Sequence, residues 1–262
     1  MPVRTMKEAT VRTRDCSQLD RSAASPPRIR VPTFLMTLAI ALAGVVAGAA
    51  VVVKMVDIKG WLRSQSAVPH GRSGRIVAKT MPMFHSLFYG PAAERLELHR
   101  DDILLDVACG SGALLDRYAR DVQHVAGIDL SDIQIELARR RLQDRIADGS
   151  AELIVGDAAH LPWEGGTFSA ASCVGSLDFF TDPDAAVKEI YRVLRPGGRV
   201  VLTYGIDDRN EKAVAQAASW GLHHPTENEV RLLIEGTGFV LDEISYLEGD
   251  NPVRYVHATK SA

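Results

Sequence analysis

The chain has 262 residues, of which 46% are hydrophobic and 24% charged, and this globular composition excludes a wholly disordered chain. Three cysteines, Cys16, Cys109 and Cys173, lie far apart without a CxxC pair, which excludes a disulfide scaffold and a cysteine-rich zinc site. The net charge of −3 hides an asymmetry, because residues 1–80 carry 13 Lys/Arg and 4 Asp/Glu whereas residues 81–262 carry 17 and 29. An acidic body repels a phosphate backbone, so we expect no nucleic-acid partner.

A long uncharged run lies inside the basic segment. No charged residue occurs between residues 31 and 53, and residues 33–53 form an apolar stretch that would span about 31 Å as a helix, roughly one hydrocarbon thickness. We favour a signal anchor that stays in the membrane. A cleaved signal peptide is the second possibility, since residues 47–49 resemble a small-residue cleavage site. A buried core helix is the third, although the run lacks a polar stripe.

This run divides the chain into four predicted segments. They are a disordered basic tail (1–32), a transmembrane helix (33–53), a basic linker (54–80) and a folded domain (81–262). Gly44 and Gly48 have the GxxxG spacing that lets two membrane helices approach closely, so self-association through them is possible. The same spacing also arises by chance in a segment rich in Ala, Gly and Val. Basic residues flank the run on both sides, so the positive-inside rule gives no orientation.

From about residue 101, short apolar runs alternate with helical patterns. Strands are predicted over residues 103–108, 124–128, 152–155, 168–174 and 199–204, and helices over residues 113–120, 131–147 and 183–194. Residues 226–229 form a capping box that opens a further helix, and two strands over 239–247 and 253–259 follow as a hairpin. The pattern predicts an α/β, Rossmann-like fold: a seven-stranded sheet with a C-terminal antiparallel hairpin, preceded by one transmembrane helix.

Acidic residues mark the carboxyl ends of the first three predicted strands. Asp106 precedes a glycine-rich turn, and Asp129 and Asp157 end the next two strands. Ligands of open parallel sheets bind beyond these ends, so we expect the three side chains to converge. A carboxylate at Asp129 can accept both hydroxyls of a ribose, and one at Asp157 can accept from the amino group of adenine. Taken singly, Asp129 is equally typical of a helix start and Asp157 of a turn.

Four sequence blocks together carry a resemblance to a known family. Residues 104–112 read LLDVACGSG, residues 125–131 VAGIDLS, residues 156–163 GDAAHLPW and residues 189–198 EIYRVLRPGG. In this order and spacing, they resemble the class I S-adenosylmethionine-dependent methyltransferases, within the small-molecule branch that includes the ubiquinone/menaquinone methyltransferases. The resemblance covers about residues 76–259, and it implies the seven-stranded fold of that class and S-adenosyl-L-methionine as the cofactor.

The resemblance implies a role for each residue of the glycine-rich turn. Asp106, Ala108, Gly110 and Gly112 would form the loop around the methionine part of the cofactor. Ala108 stands where the family pattern has its first glycine. This substitution is common in the family and tolerated.

The resemblance also implies roles at the next three strand ends. Asp129 would hold the ribose hydroxyls, and Leu130 would lie against the adenine. Asp157 would meet the adenine amino group, and Ala158 would offer its backbone N–H. Cys173 would lie near the sulfonium end, as a small buried residue rather than as a nucleophile.

The reaction implied by the resemblance asks for alignment and a deprotonated acceptor, because a sulfonium methyl is already activated. His85 is the candidate catalytic base. It lies in the amphipathic stretch 81–89, which covers the cofactor in related enzymes, so a lid or packing role is the alternative. Asp178 stands where related sequences often carry a histidine, which leaves the base assignment open. His223 and His224 are adjacent but lack further ligand spacing, so no metal site is predicted.

Together these features predict a membrane-anchored methyltransferase with a small-molecule or lipid acceptor. The expected topology is single-pass, with the catalytic domain in the cytoplasm, where the cofactor is made. The alternative is a cofactor-binding membrane scaffold without catalysis. A nicotinamide-dependent oxidoreductase is disfavoured, because Leu115 occupies the place of the third glycine in a dinucleotide-binding loop.

Overall fold

The computed structural model of the chain describes residues 64–65, 67–219, 224–247 and 253–262, all within the compact unit Met55–Ala262. The predicted disordered tail and the predicted transmembrane helix, with Gly44 and Gly48, lie outside the described residues. Within the described ranges, no helix combines the length and the apolar character needed to cross a membrane.

The described residues form one sheet flanked by helices. The strands are β1 (Ile103–Val107), β2 (His124–Asp129), β3 (Ala151–Val155), β4 (Phe168–Cys173), β5 (Leu194–Ile206), β6 (Phe239–Tyr246) and β7 (Val253–Lys260). The α-helices are α1 (Gly71–Leu96), α2 (Ala113–Tyr118), α3 (Asp132–Arg141), α4 (Gln143–Ala147), α5 (Pro183–Val193), α6 (Glu211–Ser219) and α7 (Glu227–Thr237), and a short 3-10 helix covers Leu177–Phe179.

The strand order of the sheet is β3-β2-β1-β4-β5-β7-β6. The pairs among β1 to β5 are parallel, whereas β7 runs antiparallel to both β5 and β6. The predicted seven-stranded α/β sheet with its antiparallel C-terminal hairpin is therefore confirmed. The chain order reverses between β1 and β4, and this switch point opens a crevice at the carboxyl ends of the strands.

Both faces of the sheet are covered, as parallel strands require. Leu105 and Val107 of β1 belong to the core under α5 and α7, whereas Leu104 belongs to the core under α1, α2 and α3. Successive residues of a strand point to opposite faces, so continuous apolar runs serve both cores. The near-uniform burial of β1 and β4 reflects this arrangement.

The helices differ from the sequence expectation in three places. Helix α1 begins at Gly71, inside the segment predicted as a linker. Ala78 in this first part of the helix is buried, so tertiary packing supports the helix there. The single helix predicted over 131–147 is divided at Leu142, which is buried against the second core. Helix α6 was not predicted and contributes Ala213 to a small cluster of its own. At each of these boundaries, the burial of side chains in the tertiary structure outweighs the local helix propensity.

A buried ion pair ties the amino-terminal edge of the sheet together. The carboxylate of Asp102 accepts from the guanidinium of Arg199 at 2.5 and 3.1 Å, from the hydroxyl of Ser169 at 2.6 Å and from the backbone N–H of His99 at 2.7 Å. Burial alone would raise the pKa of Asp102, but these hydrogen bonds outweigh it and lower the pKa to about 2. The ionised form of Asp102 therefore contributes to stability.

We expect Asp102→Asn to lower the free energy of unfolding by about 2 kcal/mol at neutral pH, as the pKa difference between unfolded and folded states requires. The depressed pKa makes this contribution fully present above about pH 4 and lost as the pH falls through about 2. Urea unfolding followed by circular dichroism measures it. The neighbouring exposed Asp101, changed to Asn, is the control, and equal stability of the two variants would contradict the role given to Asp102.

Candidate functional site

A cavity of about 740 Å³ lies beyond the carboxyl ends of β1, β2, β3 and β4. Its size is in the range of pockets that enclose a nucleoside-sized ligand. Side chains of α1 close the cavity from above, and the glycine-rich turn after β1 forms its floor. The three acidic side chains predicted to converge, Asp106, Asp129 and Asp157, all line it.

Eight of the ten residues predicted for the site line this cavity: His85, Asp106, Ala108, Gly110, Asp129, Leu130, Asp157 and Ala158. The other two do not. Cys173 is fully buried in the core, and the next residue, Val174, lines the cavity instead. Gly112 caps α2 and lies against α3, where a Cβ would come within 3.2 Å of the Ala138 side chain.

The glycine-rich turn needs a left-handed backbone at three alternate positions. Ala108, Gly110 and Gly112 have φ angles of 55°, 53° and 71°. Glycine adopts this conformation without a steric penalty, whereas Ala108 has a Cβ that disfavours it. A strained non-glycine residue in the wall of a cavity is typical of a functional turn that its surroundings hold in place.

Asp129 holds this turn against the end of β2. Its Oδ2 accepts the backbone N–H of Gly110 at 2.8 Å, and its Oδ1 accepts the backbone N–H of Ser131 at 2.9 Å. An ionised carboxylate has about four lone-pair sites, so each oxygen retains room for one further donor. Asp129 can thus position the loop and accept two hydroxyl groups of a ligand.

The floor of the cavity holds two carboxyl groups out of contact with water. Burial raises the pKa of Asp106 to about 7; the hydroxyl of Ser172, which donates to Asp106 at 2.7 Å, opposes this rise, and the nearby charge of Asp129 adds to it. Burial also raises the pKa of Asp129, although the N–H groups of Ser131 and Gly110 oppose the shift. Among the described residues, no Lys or Arg forms an ion pair with either carboxylate. Such a floor favours a cationic ligand.

His85 faces the cavity from α1, opposite the end of β4. A Cβ placed on Gly175 would lie 3.4 Å from Nδ1 of His85, so the missing side chain leaves room for the imidazole. The ring of Tyr89 packs edge-on to that of His85 with 6.4 Å between centroids. Burial lowers the pKa of His85, so its imidazole is neutral at physiological pH.

The opposite end of the cavity is open. Asp157 and Leu130 are both exposed there, and Oδ1 of Asp157 accepts the backbone N–H of Ala159 at 3.0 Å. Its second oxygen faces His160 at 3.9 Å from Nδ1. This end can take a flat heterocycle between Leu130 and the turn after β3, with one carboxylate at its rim.

Sequence reasoning missed one wall of the cavity. Residues 67–70, in the predicted linker, line it, and the hydroxyl of Ser131 donates to the carbonyl of Pro69 at 2.9 Å. No local pattern predicts that a segment before α1 folds back onto a strand end about 60 residues later. Gln134 also lines the cavity, and its Oε1 is buried without a hydrogen-bond partner. The spacing of Gln134 from the cap residue Ser131 was the available signal, because i and i+3 share a helix face.

Two further sequence candidates lie outside the cavity wall. Oδ1 of Asp178 accepts the backbone N–H of Gly205 at 2.9 Å and lies 3.6 Å from Nδ1 of His224. These contacts connect the turn after β4 to the end of β5. Asp178 therefore stabilises the sheet edge rather than facing the ligand space.

The buried groups of the cavity fit S-adenosylmethionine. Its sulfonium and ammonium groups would supply the positive charge that Asp106 and Asp129 lack, and its ribose hydroxyls would use the free lone pairs of Asp129. The unpartnered oxygen of Gln134 offers one more acceptor. A nucleoside with a positive charge close to its ribose thus matches the chemistry of the wall.

Sequence comparisons agree with this chemistry. Residues 105–202 match the family described as a methyltransferase domain. An O-methyltransferase, rstn1, of Aspergillus nomiae is 37% identical over 111 residues, covering 42% of this chain and 49% of that protein. A demethylmenaquinone methyltransferase of Lactobacillus johnsonii is 33% identical over 110 residues, covering 41% and 45%. The chain thus matches about half the length of these curated relatives.

Comparison with solved structures shows the same fold. Geranyl diphosphate C-methyltransferase from Streptomyces coelicolor, in complex with S-adenosyl-L-homocysteine, superposes with a TM-score of 0.57 at 18% identity, covering 73% of this chain and 85% of that one. The [4+2]-cyclase SpnF gives a TM-score of 0.58 at 22% identity, covering 67% and 80%. Taken together, the comparisons support the resemblance seen in the sequence to small-molecule class I methyltransferases: residues 105–202 match a methyltransferase domain, the described residues share the fold of these solved structures, and the acidic floor fits S-adenosylmethionine as the cofactor.

Proposed function

We propose that the chain is an S-adenosylmethionine-dependent methyltransferase that acts on a small or lipidic acceptor. The observation that carries the proposal is that one cavity holds the buried acidic residues Asp106 and Asp129 in its floor and His85 in the facing wall. We further propose that residues 33–53 anchor the chain in a membrane in a single pass, with the catalytic domain on the cytoplasmic side. The length and apolar character of that run support the anchor.

The chemistry divides between cofactor and chain. When bound, S-adenosylmethionine supplies an activated methyl group, so the chain has to align the acceptor and remove its proton. The left-handed turn and Asp129 fix the nucleoside. The neutral imidazole of His85 can accept the proton of the acceptor. The aromatic rings of Phe179 and Tyr89 border the same space and exclude water from it.

The walls around His85 favour an apolar acceptor. Met81, Pro82, Val174, Phe179 and Phe180 line this part of the cavity. Apolar and aromatic side chains hold a hydrocarbon group by removing its surface from water. Two similar proteins are named for demethylmenaquinone and geranyl diphosphate, both of which carry prenyl chains. Quinones, isoprenoids and lipids with a reactive head group are therefore the acceptor classes to test first.

Transfer of a labelled methyl group tests the proposed function. The full chain is incubated with S-adenosylmethionine carrying a tritiated methyl group and with a membrane lipid extract, and label is counted in the organic phase. We expect label in that phase, and far less with the Asp129→Ala variant when the cofactor concentration is close to the wild-type Kd. Cofactor binding without transfer to organic or aqueous acceptors would instead favour the non-catalytic scaffold. Profiling the labelled species then identifies the acceptor.

We expect His85→Gln to lower kcat about tenfold at neutral pH with little change in cofactor affinity. This loss is below the usual range for a general base, because the methyl group is already activated. At saturating cofactor, kcat of the wild type should fall as the pH drops through the lowered pKa of His85, whereas the variant should lack this limb. The exposed His99, changed to Gln, is the control. An unchanged pH profile in His85→Gln would assign this residue to packing alone.

A further inference from the structure

One face of helix α1 lines the cavity, and the opposite face is exposed to solvent. Met81, His85 and Tyr89, spaced four residues apart, line the cavity. On the opposite side, Ile76, Met83 and Leu87 point into solvent with exposed fractions of 69%, 69% and 55%. At 100° per residue, Met83 and Leu87 each lie within about 20° of Ile76 around the helix axis, so the three form a continuous apolar stripe along the helix.

Basic side chains accompany the stripe. Arg72 and Lys79 are exposed and lie within about 60° of Ile76 around the helix axis. Arg75 lies further round and pairs with Glu136 of α3 at 2.9 Å. The exposed Glu94 shares the direction of the stripe only at the far end of the helix. Positive charge therefore borders one side of the first half of the stripe, within a domain that is otherwise acidic.

The chain before α1 indicates what covers this stripe. The uncharged run ends at Val53, and 17 residues separate it from Gly71. Extended, that connection reaches at most about 60 Å, so a membrane anchored by the run lies within reach of α1. A narrow stripe of three side chains offers far less than the roughly 800 Å² per partner that a stable protein interface buries. A helix with an apolar face bordered by Arg and Lys is typical of one that lies in a lipid interface.

We propose that α1 lies on an anionic lipid surface, with Ile76, Met83 and Leu87 in the acyl boundary and Arg72 and Lys79 among the headgroups. The cavity on the other side of the same helix is then filled by an acceptor that leaves the bilayer beside α1. This last step rests on the proposed function, whereas the docking of α1 is measured without turnover.

Photo-cross-linking tests the docking. The full chain is reconstituted in vesicles of phosphatidylcholine and phosphatidylglycerol in which some acyl chains carry a diazirine, and cross-linked peptides are identified by mass spectrometry. We expect acyl cross-links on residues 76–87. Their yield should fall roughly tenfold in vesicles of phosphatidylcholine alone, because these vesicles lack the anionic headgroups that attract Arg72 and Lys79.

Matched variants separate docking from folding. Met83→Glu should reduce the α1 cross-links roughly tenfold, because it replaces exposed apolar surface that the acyl chains would cover with a charge. Leu232→Glu, which changes an exposed apolar residue of α7, should leave them unchanged. Calorimetry with S-adenosylhomocysteine shows that both variants keep the cofactor site.

Three results would overturn the proposal. They are an absence of acyl cross-links on α1, equal yields with and without phosphatidylglycerol, and cross-links from α1 to a second copy of the chain in place of lipid. Failure of methyl transfer is a separate result. If α1 cross-links to lipid while no acceptor is methylated, the docking stands and the proposed function fails.

Discussion

Replacing Asp129 with alanine is expected to weaken the binding of S-adenosylhomocysteine by about 2–3 kcal/mol, roughly a hundredfold in Kd. The carboxylate of Asp129 is buried and accepts the N–H groups of Gly110 and Ser131. Its loss removes the acceptor for the ribose hydroxyls and leaves both N–H groups unpaired. Isothermal titration calorimetry measures the difference directly.

An analogue distinguishes ribose binding from loop positioning. The 2′-deoxy form of S-adenosylhomocysteine should bind more weakly than the parent to the wild-type chain, but about equally to Asp129→Ala. The exposed neighbour Asp132, changed to Ala, should preserve the discrimination. If both proteins discriminate to the same degree, Asp129 serves the loop and does not contact the ribose.

The affinity for the cofactor is expected to rise with pH through about 7. In the unliganded protein, burial raises the pKa of Asp106 to about 7, so a cationic ligand must displace a proton below that value. We expect Kd to improve by up to about tenfold per pH unit below pH 7 and to level off above it. Calorimetry in buffers of different ionisation enthalpy should show the release of up to about one proton near neutral pH.

Asp106→Asn should abolish this pH dependence and bind the cofactor weakly at every pH. The raised pKa also means that ionised Asp106 destabilises the unliganded fold. The contribution of protonated Asp106 to the free energy of unfolding is fully present below about pH 4 and is lost as the pH rises through about 7. The variant should therefore be more stable than the wild type near pH 8, by up to about 4 kcal/mol, and similar near pH 4. Equal stability at both values would contradict the buried, unpaired carboxyl.

The fold was predictable because its signals are local and repeated. Apolar runs of five or six residues separated by helical patterns determine the parallel sheet, and the capping box at Thr226 was found where the sequence placed it. Convergence of Asp106, Asp129 and Asp157 followed from topology, since the carboxyl ends of parallel strands meet at one edge. Neither inference required a long-range contact.

The remaining parts of the site depend on contacts that no local pattern encodes. Pro69 reaches the cavity through a hydrogen bond to Ser131, 62 residues away along the chain. Helix α1 extends into the predicted linker because tertiary burial of Ala78 supports it. The placement of Cys173 depends on where the strand ends: Cys173 is the last residue of β4 and lies in the core, whereas Val174, the first residue after the strand, lines the cavity.

A crystal structure of the chain with S-adenosylhomocysteine would show whether the cavity is the cofactor site. We expect the ribose at the carboxylate of Asp129, the adenine between Leu130 and the turn at Asp157, and the amino acid part over the turn that follows Asp106. A nucleoside bound at any other surface, or one in this cavity that leaves Asp129 without a ribose contact, would contradict this placement.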